Sequence, residues 1–527
     1  MDNSESKSVT SMSRTLGKEA QKNNILAAKI VADIVKTTLG PKGMDKMLVD
    51  SSGNVTITND GVTILEEMEL DHPAAKIIVD IAKSQEQEVG DGTTTVAILA
   101  GSLLENAEKL IDRKIHPTMI IKGYKKAAEK SREILHALSL DVESRETLKK
   151  IAMTSMTGKG SEGNKEYFAE LIVSAIDRIA DKKTINLENI KITKIQGSRI
   201  EKSELVSGIV LDKERAHVDM PSSVKDARVL LLDVPLEIHS PETESRLSIS
   251  TPEQLQNFLD AEQNTLKSLV DSIALSQAQV VFCQKGIDDV AQYYLAQNKI
   301  MAFRRIPRSD MERISKATNA KIISNINEIR PTSLGQADVA EVKHSNESFT
   351  YITSNNTKVA TILLHGTTQH LIDEIERSVN DGLGVVASAV REGKIVVGGG
   401  SVEIALSLKL REYARTLQGK EQLAVEEFAN ALEKIPETLA ENAGLDSIEV
   451  ISELKRRHSS GNKFDGLNLL TDRIENCLDA GIVEPLKVKT QAIDAATEVA
   501  TLLLRVDDVL IAKTKPYHEE NPLGGMD

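Results

Sequence analysis

Apolar residues recur every three to four positions through the first 145 residues, which is the spacing of one helix face. This pattern predicts three helices, at residues 20–39, about 73–88 and 93–111. Gly40-Pro41 signals the end of the first helix. Apolar and polar side chains alternate at residues 55–58 up to the turn signal Asn59-Asp60-Gly61, which predicts a short strand. The beginning of the chain is therefore predicted to be mostly helical.

The middle of the chain shows a different pattern, in which short apolar runs alternate with helical stretches. The apolar runs predict strands at residues 228–232, 279–282, 300–303 and 321–323, and the helical stretches lie at 287–297 and 309–318. Such an alternation predicts an α/β module with a core of its own.

A further helix is predicted to begin at Thr251 and to run toward Leu275. Thr251 is a favourable N-cap, Pro252 suits the first turn, and Gln254 occupies the capping-box position. A polar stretch at 240–250 precedes it. Such a helix either projects from a domain or belongs to its core, and the residues alone favour the core.

Long helical patterns return near the end of the chain. They lie at residues 372–392, 401–418, 421–442 and 485–504. Between them, Gly398-Gly399-Gly400 offers a place where the backbone can approach a ligand closely. The glycine-containing tail at 521–527 is predicted to be disordered. Both ends of the chain are thus predicted to be helical and the middle to be α/β. A single site built from both ends would require the chain to leave a first domain, form the α/β module and return to the first domain.

The run Gly90-Asp91-Gly92, followed by three threonines, is the most informative chemical signal. Glycine lets the backbone approach a phosphate, and a threonine can cap a following helix, whose free N–H groups would face an anion. Asp91 would repel phosphate unless a cation lay between them, which favours a magnesium–nucleotide site. An ordinary capped turn is the alternative, since Gly, Asp and Thr are common in loops.

Composition excludes several classes of protein. The net charge of −14 and the aromatic content of 3% argue against a nucleic-acid surface. No apolar run is long enough to span a membrane, and the polar N-terminus at 1–14 has no apolar signal region. The two cysteines, Cys283 and Cys477, lie far apart and are predicted to be free thiols in a reducing cytoplasm.

Several of these segments, taken in order, resemble the nucleotide motifs of the chaperonins. They are 38–46 (TLGPKGMDK), 58–64 (TNDGVTI), 90–95 (GDGTTT) and 398–400 (GGG). Leu445-Asp446, the segment 483–491 (VEPLKVKTQ) and the Thr251 helix are similar to group II, which comprises archaeal thermosome subunits and the related eukaryotic cytosolic chaperonin. The resemblance covers essentially the whole chain.

The resemblance implies an α+β multidomain chaperonin fold. A mostly helical equatorial ATPase domain would comprise 1–144 and 402–527, and a small intermediate hinge domain 145–213 and 367–401. An α/β apical substrate-binding domain would comprise 214–366. Its helical lid protrusion would lie at about 240–275. The resemblance thus places the Thr251 helix in this protrusion, and not in the core as the residues alone favour.

The resemblance also implies roles for individual residues toward ATP and Mg²⁺. The implied nucleotide-binding residues are Thr38, Leu39, Gly40, Pro41, Asp91, Gly92, Thr93, Thr94, Thr95, Lys159, Gly399 and Glu484. Asp91 would hold the metal, and Asp60 would lie near the γ-phosphate. Asp381 matches the family's water-activating carboxylate on the intermediate domain, and Lys159 matches the loop that senses the γ-phosphate. A P-loop enzyme is disfavoured, because GxxxxGK[ST] does not occur.

The chain departs from its relatives at a few positions without losing a catalytic group. Thr367 and Gly382 stand where relatives usually carry glycine and alanine, Gln196-Gly197 replaces Gly-Gly, and the segment 476–480 lacks the usual tryptophan. Glycine in a helix costs roughly 1 kcal/mol relative to alanine. These differences suggest a divergent paralogue, in which we expect allosteric timing to depart from that of the relatives more than hydrolysis does.

The function implied is that of an ATP-dependent molecular chaperone. It would enclose non-native polypeptides in a chamber of two stacked rings, built from the same or paralogous subunits, in the cytoplasm. It would bind neither nucleic acid nor membrane. The alternative is a ring-forming scaffold subunit with weak or lost ATPase that modulates a mixed chaperonin. A small-molecule kinase is a further rival, which would be a monomer or dimer.

Overall fold

The structure is a computed structural model, and it describes residues 12–68, 70–160, 162–181, 184–238, 251–344, 347–354 and 357–512. Three predictions fall wholly or largely outside these residues. They concern the polar N-terminal segment 1–14, the polar stretch 240–250 and the tail 521–527.

The described residues form fifteen α-helices. They are α1 (Gly17–Lys36), α2 (Gly61–Glu67), α3 (Pro73–Val89), α4 (Thr93–Asp112), α5 (Pro117–Leu138), α6 (Arg145–Met156), α7 (Lys165–Ile179), α8 (Pro252–Leu275), α9 (Asp289–Gln297), α10 (Arg308–Thr318), α11 (Gln369–Glu392), α12 (Ser401–Ala414), α13 (Lys420–Asn442), α14 (Ser447–Ser459) and α15 (Leu486–Leu503).

Nineteen strands lie within the same residues. They are β1 (Met12–Leu16), β2 (Lys46–Val49), β3 (Val55–Thr58), β4 (Leu140–Asp141), β5 (Ile190–Gln196), β6 (Glu204–Val206), β7 (Gly208–Leu211), β8 (Ser223–Leu232), β9 (Val280–Cys283), β10 (Met301–Phe303), β11 (Ile322–Ile323), β12 (Gly335–His344), β13 (Glu347–Thr353), β14 (Ala360–Gly366), β15 (Lys394–Val397), β16 (Asp465–Asn468), β17 (Arg473–Asn476), β18 (Val483–Pro485) and β19 (Asp508–Ala512).

The first of two compact units combines both ends of the chain, residues 1–141 and 394–527. Helix α4 is its central helix and packs against α1, α3, α13 and α15. Apolar residues are buried around most of its circumference, as expected of a helix enclosed by others. Strand β15 pairs with β18 and β4, so segments distant in sequence are hydrogen-bonded in one small sheet. The central position of α4 fixes the place of its N-terminus.

The second unit, residues 142–393, is built on a seven-stranded mixed sheet. The strand order is β10-β9-β8-β12-β13-β7, with β11 beside β8. Alternate residues of β8 enter two different cores: Val229 and Leu231 pack with α10, whereas Leu230 and Leu232 pack with α8 and α9. A second sheet has the order β5-β14-β6. The predicted α/β module is therefore confirmed, with helices on both faces of its sheet.

Helix α8 divides into an exposed and a buried half. The described side chains of residues 252–261 are exposed, whereas Leu266, Val270 and Ile273 are buried in the core. Thr251 is the N-cap and accepts a hydrogen bond from Gln254 N at 3.3 Å. The core position that the residues alone favour is therefore wrong for the first half of the helix.

Some predicted helix ends are wrong by several residues. The first helix ends at Lys36 rather than Leu39, because Thr38 and Leu39 form tighter turns in which their N–H groups donate to Val35 O and Lys36 O. Helix α12 ends at Ala414 rather than 418, again through i→i−3 bonds from Thr416 and Leu417. Both ends are tightened by 3₁₀-type bonds, which apolar periodicity does not reveal.

The two cysteines are free, as predicted, and both are buried. Burial raises the pKa of the Cys283 thiol to about 11 and that of Cys477 to about 12. Both thiols are therefore protonated at neutral pH and poor nucleophiles. None of the described helices is long and apolar enough to cross a bilayer.

Candidate functional site

The Gly90–Thr95 segment forms a turn that leads directly into α4. Gly90 ends α3 and Gly92 is the N-cap of α4, both with positive φ (80° and 83°), the left-handed region that favours glycine. The predicted threonine N-cap is wrong: the threonines occupy the first turn instead, and the first helical bond runs from Val96 N to Gly92 O. The N–H groups of the three threonines therefore have no acceptor within the helix, and this end of α4 suits an anion.

Asp91 lies in this turn with its backbone held from two sides. Its carboxylate accepts a hydrogen bond from Gly92 N at 2.7 Å. The buried side chain of Gln85 donates to the carbonyls of Asp91 and Val488, at 3.0 and 3.2 Å. Gln85 thereby ties the Asp91 turn to the start of α15.

The Asp60-Gly61 turn packs against the same helix end. Asp60 is the N-cap of α2 and accepts hydrogen bonds at 2.8 Å from both N and Oγ1 of Thr63. A Cβ at Gly61 would lie 2.6 Å from Oγ1 of Thr94 and 3.2 Å from that of Thr93. The absence of a side chain at Gly61 thus allows the two predicted motifs to meet.

The turn after α1 is held by the end of α13. Asn442 donates to the carbonyls of Lys36 and Leu39 at 3.0 and 2.9 Å. The hydroxyl of the buried Thr38 donates to Val35 O at 2.8 Å. Gly40 has φ +83°, and a Cβ there would lie 2.5 Å from a methyl group of Leu439. The implied wall residues therefore form one turn supported from the distant end of the chain.

In the same turn, the backbone of Gly43 packs directly against the backbone of Thr38. A Cβ at Gly43 would lie 2.2 Å from the carbonyl oxygen of Thr38. We expect Gly43→Ala to displace the turn and to destabilise the protein by about 1–3 kcal/mol, the usual cost of overpacking. Thermal unfolding should therefore show a lower midpoint.

The matched control is Gly163→Ala, because a Cβ at Gly163 would have no atom within 4 Å. This exposed substitution should change stability by no more than about 0.5 kcal/mol. Equal unfolding midpoints for the two variants would show that the Gly43 contact does not constrain the turn.

The three consecutive glycines form a second tight turn in the first unit. Gly399 and Gly400 have positive φ (63° and 75°). A Cβ at Gly399 would lie 2.8 Å from Leu467 O, and one at Gly400 would lie 2.5 Å from Cβ of Pro436, a proline inside α13. Leu467 N donates to Gly399 O at 2.8 Å. The backbone of this turn is therefore packed too closely for any other residue.

Glu484 borders the same turn as part of a group of three charged side chains. Lys489 contacts Oε2 of Glu484 at 2.8 Å and Oε1 of Glu403 at 2.9 Å. Burial raises the pKa of Glu484; Lys489 opposes this shift, whereas Glu403 and Asp91 add to it. Burial opposes the charged form of Lys489, but the two carboxylates outweigh it and raise its pKa.

In the second unit, the structure brings Lys159 and Asp381 together. Asp381 lies on α11, and Lys159 lies in the turn after α6. Nζ of Lys159 and Oδ2 of Asp381 are 2.5 Å apart, and both side chains are less than one-fifth exposed. A Cβ at Gly160 would lie 2.6 Å from Cγ of Glu374, so α11 also packs closely on this turn.

The structure thus joins the predicted segments in two groups. Contacts link the Asp60 and Asp91 turns, and Gln85 ties the Asp91 turn to Val488 at the start of α15. Glu484 borders Gly398, where a Cβ would lie 2.9 Å from Oε1 of Glu484. Gly399 contacts Leu467, and a Cβ at Gly40 would lie 3.4 Å from a methyl group of Leu469, so these two turns border the same strand end. Lys159 and Asp381 form the second group. Their roles toward a nucleotide stay predictions.

The first group has features that fit a magnesium–nucleotide complex. It offers one carboxylate in a glycine turn, the first-turn N–H groups of a helix, and the hydroxyls of Thr93 and Thr94 packed against Gly61. Among the described residues, no cluster of three or more His, Cys, Asp or Glu side chains is arranged to hold a metal. A magnesium ion at Asp91 would therefore take its other ligands from phosphate oxygens and water, as is usual for this ion.

Three residues of the first group were not predicted from the sequence. Gln85, Glu403 and Lys489 are buried polar side chains within otherwise apolar helical patterns. Buried polar groups of this kind are kept for specific partners. Only Lys489, which lies in the segment 483–491, was within a motif that the sequence singled out.

Comparisons with known proteins agree with this architecture. The model of the TCP-1/cpn60 chaperonin family matches residues 31–514. Thermosome subunit beta of Methanothermobacter thermautotrophicus is 48% identical over 518 residues, 98% of this chain and 96% of that protein. The beta and alpha subunits of the Archaeoglobus fulgidus thermosome are 52% and 51% identical, each over 95% of this chain and 93% of the relative.

A solved structure supports the same assignment. An open-state monomer of a group II chaperonin from Methanococcoides burtonii is 44% identical, with a TM-score of 0.61 over 79% of this chain and all of that one. The chain therefore belongs to the TCP-1/cpn60 chaperonin family, as a group II chaperonin with the multidomain α+β fold and a chaperone role.

Proposed function

We propose that this chain is an ATP-dependent chaperone, which hydrolyses Mg·ATP to fold non-native polypeptides inside a double-ring chamber. One observation carries the proposal: turns from both ends of the chain meet in one unit around the N-terminus of α4. Membership of the chaperonin family, whose members are generally ATPases, supports it. The three-domain division, with boundaries near 144, 213, 366 and 401, is part of the proposal.

The first unit would bind the nucleotide. The first-turn N–H groups and hydroxyls of Thr93, Thr94 and Thr95 would bind phosphate oxygens, together with Gly92. Asp91 would hold Mg²⁺, which when bound neutralises phosphate charge during transfer. Thr38, Leu39, Gly40 and Pro41 would form the wall beside the nucleotide, and Gly399 and Glu484 would line the nucleoside. Asp60 would lie near the γ-phosphate and the metal.

The second unit would supply the group that controls hydrolysis. Asp381 would orient the attacking water and accept its proton, and Lys159 would contact the γ-phosphate. The ion pair between them supports this, because it holds the two proposed groups next to each other before a nucleotide is bound. A carboxylate on a mobile domain would couple hydrolysis to domain closure.

Assembly follows the pattern suggested by the relatives. Two of them are named alpha and beta subunits of one organism's thermosome, so paralogous subunits occur in this group. We propose that the chain forms two stacked rings with itself or with paralogues, in the cytoplasm. The exposed first half of α8 would contribute to the lid.

Refolding of a denatured enzyme by the purified particle tests the proposal. We expect higher recovered activity with Mg·ATP than with Mg·ADP, and a particle of many subunits by native mass spectrometry. A particle that assembles but refolds equally with either nucleotide would indicate the scaffold alternative. A monomer or dimer that phosphorylates a small molecule would contradict the proposal.

A further inference from the structure

Glu403, Lys489 and Glu484 come from three different elements and form one row of charges, which we call the ion triad. Glu403 lies in the first turn of α12, Lys489 in the first turn of α15 and Glu484 on β18. The side chains of Glu403 and Lys489 are 6% and 9% exposed, whereas that of Glu484 is 25% exposed. The triad therefore has a buried end and an accessible end, and Glu484 is the accessible end.

Burying this row of charges is costly for the fold. Taking a charged group out of water costs several kcal/mol, and an apolar replacement of similar size is often as stable. Moreover, Oε2 of Glu403 is buried without a hydrogen-bond partner among the described residues. Stability alone is therefore a poor explanation for the triad, and its geometry suggests a second use.

That geometry restricts the orientation of the Glu484 carboxylate. Oε2 is held by Lys489, and Oε1 lies over Gly398, where a Cβ would be only 2.9 Å away. Strand pairing between Val396 and Glu484 fixes the backbone of both segments. A carboxylate held in this way is a preorganised acceptor beside the glycine turn, whereas an unpaired glutamate would sample several rotamers.

We propose that Lys489, itself held by Glu403, is a positioning residue that makes Glu484 a fixed acceptor for the 2′-hydroxyl of a ribose. The inference rests on the proposed nucleotide site and adds to it the selection of ribonucleotides over deoxyribonucleotides. A carboxylate that accepts from a sugar hydroxyl gains nothing from an analogue that lacks the hydroxyl. Sites built to bond a hydroxyl discriminate strongly in this way.

The test compares the dissociation constants of ATP and 2′-deoxy-ATP on the assembled particle, with Mg²⁺ present. A hydrogen bond to a charged group corresponds to about a ten- to hundredfold difference in affinity, which we expect in favour of ATP. Glu484→Ala, which leaves no acceptor at this position, should reduce this ratio to near one. The second variant combines Lys489→Met with Glu403→Gln, which removes the buried charges together and retains Glu484.

The double variant is chosen because Lys489→Met alone would leave Glu403 as an unpaired buried charge and endanger folding. We expect it to lose most of the ATP preference while binding 2′-deoxy-ATP as the parent does. Equal weakening of both nucleotides, or an unchanged ratio, would overturn the positioning role. Failure of the parent particle to bind either nucleotide would overturn the proposed function itself, which is a distinguishable result.

Discussion

Replacing Asp381 by asparagine is expected to slow ATP hydrolysis at least about a hundredfold, because general-base catalysis typically contributes that much or more. Binding of Mg·ATP should change little, since Asp381 lies on α11 in the second unit and the proposed binding residues lie mainly in the first. Steady-state release of phosphate, together with nucleotide titration, measures the two effects separately. The substitution keeps the size of the side chain, so packing around α11 is retained.

Asp373→Asn provides the matched control for this variant. Asp373 lies on the same helix and also pairs with a lysine, since Lys194 contacts it at 2.8 Å. Both variants thus lose an ion pair on α11, but only Asp381→Asn removes the proposed base. Equal hydrolysis rates in the parent, Asp381→Asn and Asp373→Asn proteins would contradict the role given to Asp381.

Asp91→Asn is expected to weaken Mg-dependent binding of ATP at least about tenfold, because a neutral amide is a much poorer ligand for this hard cation than a carboxylate. The amide oxygen can still accept the bond from Gly92 N, so the turn should keep its conformation. The measurement is an ATP titration with Mg²⁺ and a second one with a chelator. The parent should bind ATP more tightly with Mg²⁺ than with the chelator, and the variant should lose this difference in affinity.

The control for this substitution is Asp50→Asn. The Asp50 carboxylate also accepts local backbone bonds, from Ser52 N and Asn54 N at 2.9 and 2.8 Å, but lies in the exposed β2–β3 hairpin. We expect its titrations to match those of the parent. A parent-like response to Mg²⁺ in Asp91→Asn would remove Asp91 from the metal site.

Local sequence signals predicted much of the fold. The helix α3, the start of the helix at Thr93 and the strand β3 follow from periodicity and turn residues, which act over short distances. Periodicity does not predict that both chain ends join in one unit. The resemblance implied that joining, since packing between residues hundreds of positions apart leaves no local pattern.

The candidate site shows the same division. Gly61 was recognised as part of a turn, but only the structure shows that its missing Cβ lets Thr94 approach. Gln85 lies in an ordinary helical pattern and Lys489 in a recognised motif, but neither pattern reveals the partners on other elements that give these residues their importance. The sequence does not predict Gly92 as the N-cap either. Threonine is a usual N-cap, and only the structure shows that Gly92 takes this position with a left-handed backbone.

The most direct test of the central claim is a structure of the assembled particle with Mg²⁺ and ADP–aluminium fluoride, which mimics phosphoryl transfer. We predict the phosphates at the N-terminus of α4, the metal at Asp91, and Asp381 within hydrogen-bond distance of the attacking water. Nucleotide bound elsewhere, or Asp381 remote from the fluoride in a closed ring, would contradict it.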